Sequence, residues 1–174
     1  DCPDNETQAN LVKKWFHTVG DADYYNACSS NPAWTVPPSR DYQLAATGNA
    51  FVGLIVYLAG MGSLEMIHTK LLMPLIVGTK YYVSFKVNRS NWNIALDKLG
   101  AKFTTGSMPL IDNSAQVFTN TIVTDTMNWT PISGSFIADS AYTTMFLGIF
   151  FDKANIDTIK LSPSDTFPFS LDRA

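Results

Sequence analysis

Few side chains in this sequence could carry chemistry. Glu65 is one of only two glutamates, and it stands with His68 inside an otherwise apolar, strand-like run over residues 64–72. An acid placed there either faces a ligand or occupies the solvated side of a strand. His17 and His68 have neither His-Glu-x-x-His spacing nor the context of a catalytic triad, so both read as surface or internally bonded histidines.

The other carboxylates are mostly loop aspartates, as in Asp21-Ala22-Asp23 and Asp112-Asn113. Loop Asp commonly forms a turn with its own backbone. Calcium takes oxygens from such loops, but no EF-hand spacing occurs. Glycoside hydrolysis needs two facing carboxylates, which a single strand Glu does not supply. Neither a Gly-x-Ser-x-Gly elbow nor a phosphate loop is present. The chain therefore reads as noncatalytic, with no required cofactor.

Aromatic residues are more suggestive. Trp34 lies in the loop over residues 31–39, Tyr42 follows that loop, and Trp92 sits among Asn and Ser at a strand end. An indole in a polar loop offers a flat apolar face with hydrogen-bonding neighbours, which matches the CH face and hydroxyls of a sugar ring. Asn49 and Glu65 are the hydrogen-bonding groups that would accompany them. The competing reading has each tryptophan folding back to cap the core, and Trp15 and Trp129 read as packing residues.

These side chains need a scaffold, and residues 48–87 announce one. Residues 50–59 are apolar on both parities, as in a central strand. Residues 64–72 form a second strand, and residues 80–87 alternate as a half-buried third. Residues 8–19 carry Leu11, Val12, Trp15, Phe16 and Val19 at helical spacing, which predicts a short helix. Residues 21–42 contain Pro32, Pro37 and Pro38 and read as a long irregular segment. Further strands are expected over residues 99–105, 116–124, 142–151, 157–162 and 166–171. Residues 129–138, with Pro131 and Gly134, suit a bent or bulged edge strand. The expected fold is all-β, a single jelly-roll β-sandwich over residues 1–174 with at most one short N-terminal helix.

The 174 residues carry a net charge of -3, and no basic stripe is visible, which argues against nucleic acid. No apolar run approaches the roughly 20 residues of a membrane helix, and membrane insertion by this domain is not expected. Cys2 and Cys28 are the only cysteines. They are free thiols or one disulfide, and the disulfide is favoured because it ties down a loose N-terminal segment and implies an oxidising compartment. Such a loop closure contributes about 3 kcal/mol in the chain-entropy account.

An ordered set of residues also resembles a known family. It comprises Cys2-Pro3, Trp15, Asp23-Tyr24-Tyr25-Asn26-Ala27-Cys28, Val36-Pro37, Gln43-Leu44-Ala45 and Gly48-Asn49-Ala50-Phe51-Val52-Gly53-Leu54. It continues through Tyr57, Glu65, Pro74-Leu75, Gly78, Tyr81, Val83-Ser84-Phe85 and Leu99-Gly100-Ala101-Lys102-Phe103, and ends with Trp129, Ile132, Gly134, Phe136, Ala138, Gly148 and Phe150. The chain thereby resembles N-terminal β-sandwich modules of secreted, OmpA-like or gliding-motility-associated surface proteins of Bacteroidetes-type bacteria. The resemblance implies a galactose-binding-like jelly roll similar to carbohydrate-binding modules, export to the cell surface or outer membrane, and the Cys2–Cys28 pairing.

Three departures stand out. An opening Asn-Gly-Phe-Glu strand is missing before Cys2, and Leu64 replaces a common Arg. Asp172 also stands without the acidic partner that helps similar modules hold structural calcium. The expected function is weak binding of a polysaccharide or cell-surface glycan through Trp34, Tyr42 and Trp92. The alternative is a structural or adhesive display domain with no sugar site.

Overall fold

The cleanest alternation in the sequence becomes the most regular ribbon in the fold. In the computed structural model, which describes residues 2–5, 12–39, 41–58, 62–63, 65–91 and 94–161, residues 80–87 are a strand with alternate exposed and half-buried positions along its whole length. The described strands are β1 (Trp15–Val19), β2 (Asp23–Asn26), β3 (Ala50–Gly53), β4 (Tyr57–Leu58), β5 (Gly62–Ser63), β6 (Met66–Lys70) and β7 (Lys80–Val87). They continue with β8 (Ile94–Leu96), β9 (Leu99–Thr104), β10 (Val117–Phe118), β11 (Thr130–Ile137), β12 (Thr144–Ile149) and β13 (Thr158–Lys160). Among the described residues the helical content is one 3₁₀ turn, Lys153–Asn155, capped by the Asp152 carboxylate. The fold is an all-β, sandwich-like arrangement.

Its base is a five-stranded antiparallel sheet in the order β1-β6-β12-β9-β10. Successive side chains in a strand point to opposite sides, so Ile67, Leu147 and Ala101 share one face while His68, Phe146 and Lys102 share the other. The β7–β11 ribbon packs on the first face. Phe136 of β11 meets Phe103 of β9 with ring centroids 4.9 Å apart, and Gly134 lies so close to Val117 that a Cβ there would sit 3.1 Å from its Cγ1. The β2–β3 ribbon covers another part of that face, where Val52 and Leu54 pack against Ala22 and Ile67.

A closed core gathers at the exit of β12. Met66, Leu96, Phe146, Ile149, Phe150, Phe151 and Ile156 form one buried cluster, and Phe150 and Ile149 are fully buried. Asp97 is buried beside it and stays satisfied, because its carboxylate accepts the Asp157 N–H at 2.9 Å and the Lys98 ammonium at 2.6 Å.

Several expectations are corrected. Residues 15–19 are not helical: apolar groups at helical spacing also occur in a strand, and β1 pairs antiparallel with β6 through a register shift between His17 and Val19, while residues 8–11 of that expected helix lie outside the described residues. Residues 50–59 do not form one central strand, since β3 pairs with β2 alone and ends at Gly53. The long segment after Asp21 is not wholly irregular, because it contains β2. Residues 116–124 contribute only β10 and an isolated bridge between Val123 and Leu96. The strand at Pro131 is an edge in its ribbon as expected but is unbulged, with register unbroken from Thr130↔Val87 to Ile137↔Lys80. Trp92, Asp172, Leu64 and the strand expected over residues 166–171 lie outside the described residues.

The Cys2–Cys28 disulfide is present. Among the described residues no helix is long and apolar enough to cross a membrane, which says nothing of strands.

Candidate functional site

The β2–β3 ribbon carries an aromatic row. Tyr25 and Phe51 are cross-strand partners and stack with centroids 4.8 Å apart. Trp34 extends the row at one end, 5.5 Å from Tyr25, and Trp129 meets Phe51 edge-on at 5.7 Å at the other. All four rings are half-buried.

Local chemistry fixes both ends of the row. The Asn31 carboxamide oxygen accepts the Ala33 N–H at 3.0 Å, its carbonyl accepts the Trp34 N–H at 3.0 Å, and the Trp34 carbonyl accepts the Asn26 N–H at 3.0 Å. This is the turn chemistry of a loop Asn, and it locks the Trp34 loop to the end of β2. Asn31 also donates from Nδ2 to the Asp4 carbonyl at 2.8 Å, so the segment behind the disulfide is tied to the same loop. At the far end the Trp129 indole N–H donates to the Leu44 carbonyl at 2.7 Å.

These rings form one wall of a cleft of about 1240 Å³. The sheet face carrying Ile67, Leu147 and Leu99 also lines it, and β7 contributes Phe85 and Lys86. Trp34 and Tyr42 therefore come together as the sequence suggests, with Tyr42 66% exposed at the rim. Asn49 does not join them. Its side chain is exposed, its carbonyl accepts the Ala27 N–H at 2.9 Å, and it does not line the cleft.

Glu65 lines the cleft too, but not from a solvated strand face. It is 6% exposed and accepts the Ile55 N–H at 2.6 Å and the Asp21 N–H at 3.4 Å. Burial is the main cause that raises its pKa to about 7; the bond from Ile55 opposes that rise and the neighbouring Asp21 carboxyl adds to it. The contact explains Gly20, which has φ +74° and where a Cβ would fall 2.3 Å from Glu65 Cγ. Glu65 thus pins the β1–β2 turn to the chain just beyond β3, holding two parts of the cleft wall together.

His17 and His68 are bonded internally, as expected. His17 Nδ1 lies 3.1 Å from the Gly20 carbonyl, and His68 Nδ1 lies 2.6 Å from the Thr18 hydroxyl. Among the described residues no group of three or more His, Cys, Asp or Glu side chains is placed to hold a metal ion.

Sequence reasoning did not pick out Tyr25 and Phe51, and it assigned Trp129 to packing. The signal was available in the matching aromatic positions of two short strands, but only the β2–β3 register turns those positions into one row. Comparisons with known protein families, with curated proteins and with solved structures find no match to this chain.

Proposed function

We propose that this chain is a noncatalytic glycan-binding module of an exported surface protein, with the cleft beside β2 and β3 as its ligand site. The observation that carries this reading is the continuous row Trp34–Tyr25–Phe51–Trp129 along one cleft wall. Such a row offers consecutive apolar platforms for the CH faces of a saccharide. Asp23, Asp41, Lys86 and Arg89 also border the cleft and supply polar chemistry for hydroxyl groups. A nucleic-acid strand would use the same stacking surface, but it also needs a basic track, and the chain has a net charge of -3.

Export is supported by the disulfide, which persists in oxidising compartments, and by the resemblance to surface modules. The alternative role, a display domain without a sugar site, has no need of an open aromatic wall.

The test is titration of intrinsic tryptophan fluorescence with a panel of soluble glycans, alongside sedimentation with insoluble polysaccharides. At least one glycan should change the emission in a saturable way, and Trp34→Ala should abolish that change. A folded wild-type chain that responds to no glycan sinks the proposal.

A further inference from the structure

Large apolar side chains left in water concentrate on two connections. Leu72, Met73, Ile76 and Val77 lie between β6 and β7, and Met108, Leu110 and Ile111 lie between β9 and β10. Leu72 is 89% exposed and Met73 76%. Hydrogen bonds place the β6–β7 connection at the Thr143 end of β12, whereas the β9–β10 connection starts there beyond Thr104 and runs back along the sheet, where Lys102 holds Leu110 and Ser114 and Asn113 donates to the Phe150 carbonyl at 3.0 Å. The Leu71 and Leu75 N–H groups donate to the Thr143 and Tyr142 carbonyls at 2.8 and 2.9 Å, and Gly78 donates to the Ala138 carbonyl at 2.7 Å. Thr143 in turn donates to the Thr104 carbonyl at 2.9 Å, where the β9–β10 connection begins.

We propose that this end of the molecule is a docking surface for an anionic lipid membrane, entered by the side chains of residues 72–77. Three observations favour lipid over a protein partner. The run Leu71-Leu72-Met73-Pro74-Leu75-Ile76-Val77 contains no polar side chain, so it offers a partner protein no side-chain hydrogen bond to read.

Part of its backbone is also satisfied from within, as an apolar medium requires of polar groups. The N–H groups of Leu71, Leu75 and Gly78 are bonded as above, Ile76 donates to the Tyr81 hydroxyl at 2.9 Å, and Thr79 donates to the Ile76 carbonyl at 3.1 Å. Pro74 has no N–H to satisfy.

The third observation is charge. Exposed Lys70 and Lys80 close the run on both sides, at the strand ends where lipid phosphates would lie. Tyr82, 70% exposed, follows on β7 and suits the same interfacial depth. Asp139, next to the Ala138 carbonyl that Gly78 binds, accepts a hydrogen bond from the Tyr142 hydroxyl.

The expectation of no membrane insertion rests on the length of apolar runs and not on where they emerge, and a surface contact is compatible with it. The docking is peripheral and does not depend on the glycan cleft, whose lining includes none of residues 70–82 or 104–114.

Co-sedimentation of the folded chain with phosphatidylcholine vesicles, with and without phosphatidylglycerol, tests the proposal. The wild-type chain should partition onto the anionic vesicles, and added salt should weaken that partitioning. A Leu72→Ser, Met73→Ser double variant, altered only at exposed positions, should keep its melting temperature and lose at least about tenfold in partitioning. Lys70→Gln with Lys80→Gln should lower partitioning on the anionic vesicles alone. The proposal is overturned if the folded wild type stays in the supernatant or if the double apolar variant binds equally well. It is also overturned if the wild type self-associates through this end, as reported by sedimentation velocity, without binding vesicles.

Discussion

Phe146 and Leu147 are neighbours on β12, yet they border two regions built on opposite terms. Phe146 belongs to the closed cluster with Ile149, Phe150, Phe151 and Ile156, where aromatic and aliphatic side chains fill the space between sheet and covering segments. Leu147 faces the cleft, where two-stranded ribbons stand over the sheet without filling it and the aromatic wall stays half-buried. Close packing of the first kind supplies cohesion. A preformed concave surface of the second kind is what a ligand site requires. The two regions meet at Leu96, which belongs to the closed cluster and also lines the cleft, and a substitution in either region should have a characteristic signature.

The largest effect is expected in the closed cluster. Phe150→Ala should cost about 3–5 kcal/mol in urea unfolding, because a fully buried ring leaves a cavity that the surrounding strands cannot collapse into. A cost below about 1 kcal/mol would mean that this region is no better packed than the cleft.

A smaller, pH-dependent effect should come from Glu65 at the cleft. Its pKa is raised from 4.5 to about 7, so the folded chain holds the proton more tightly than the unfolded chain does. The resulting stabilisation is fully present below pH 4.5 and is lost as pH rises through about 7. Across that window the unfolding free energy of the wild type should fall relative to Glu65→Gln by on the order of 2 kcal/mol. Parallel pH profiles for the two proteins would show that Glu65 is solvated and that its end of the cleft is open.

Trp34→Ala should have the smallest effect on stability, about 1 kcal/mol or less by urea unfolding, because the indole is half-buried and its loop is held by backbone bonds to Asn26 and Asn31. A loss comparable to that of Phe150→Ala would make Trp34 a core residue and erase the contrast.

The same contrast explains what could be read from the sequence. Residues 80–87 alternate because one side packs and the other meets water, and the strand appears with those bounds. Residues 142–151 are apolar on both parities because β12 is covered on both faces, and it is central as expected. Residues 50–59 show the same pattern for a different reason: positions 50–57 line the cleft, and a hollow is as apolar as an interior. Composition along a strand does not distinguish these cases. The site was legible in Trp34 and Tyr42, whose loop context is local, whereas Tyr25, Phe51 and Trp129 become partners only through cross-strand register and a long-range contact. The buried state of Glu65 likewise depends on Gly20 and Asp21, more than forty residues away in the sequence.

Lys102 adds a consequence for the loop it supports. Its ammonium group donates to the carbonyls of Leu110 and Ser114, at 3.2 and 3.0 Å, and pairs with Asp112, so a single amine latches most of the β9–β10 connection. A loop already held in one shape has little conformational entropy left to lose when its exposed Leu110 meets an apolar surface. The ordering cost of such an encounter would be met during folding, because the Lys102 bonds already fix the loop.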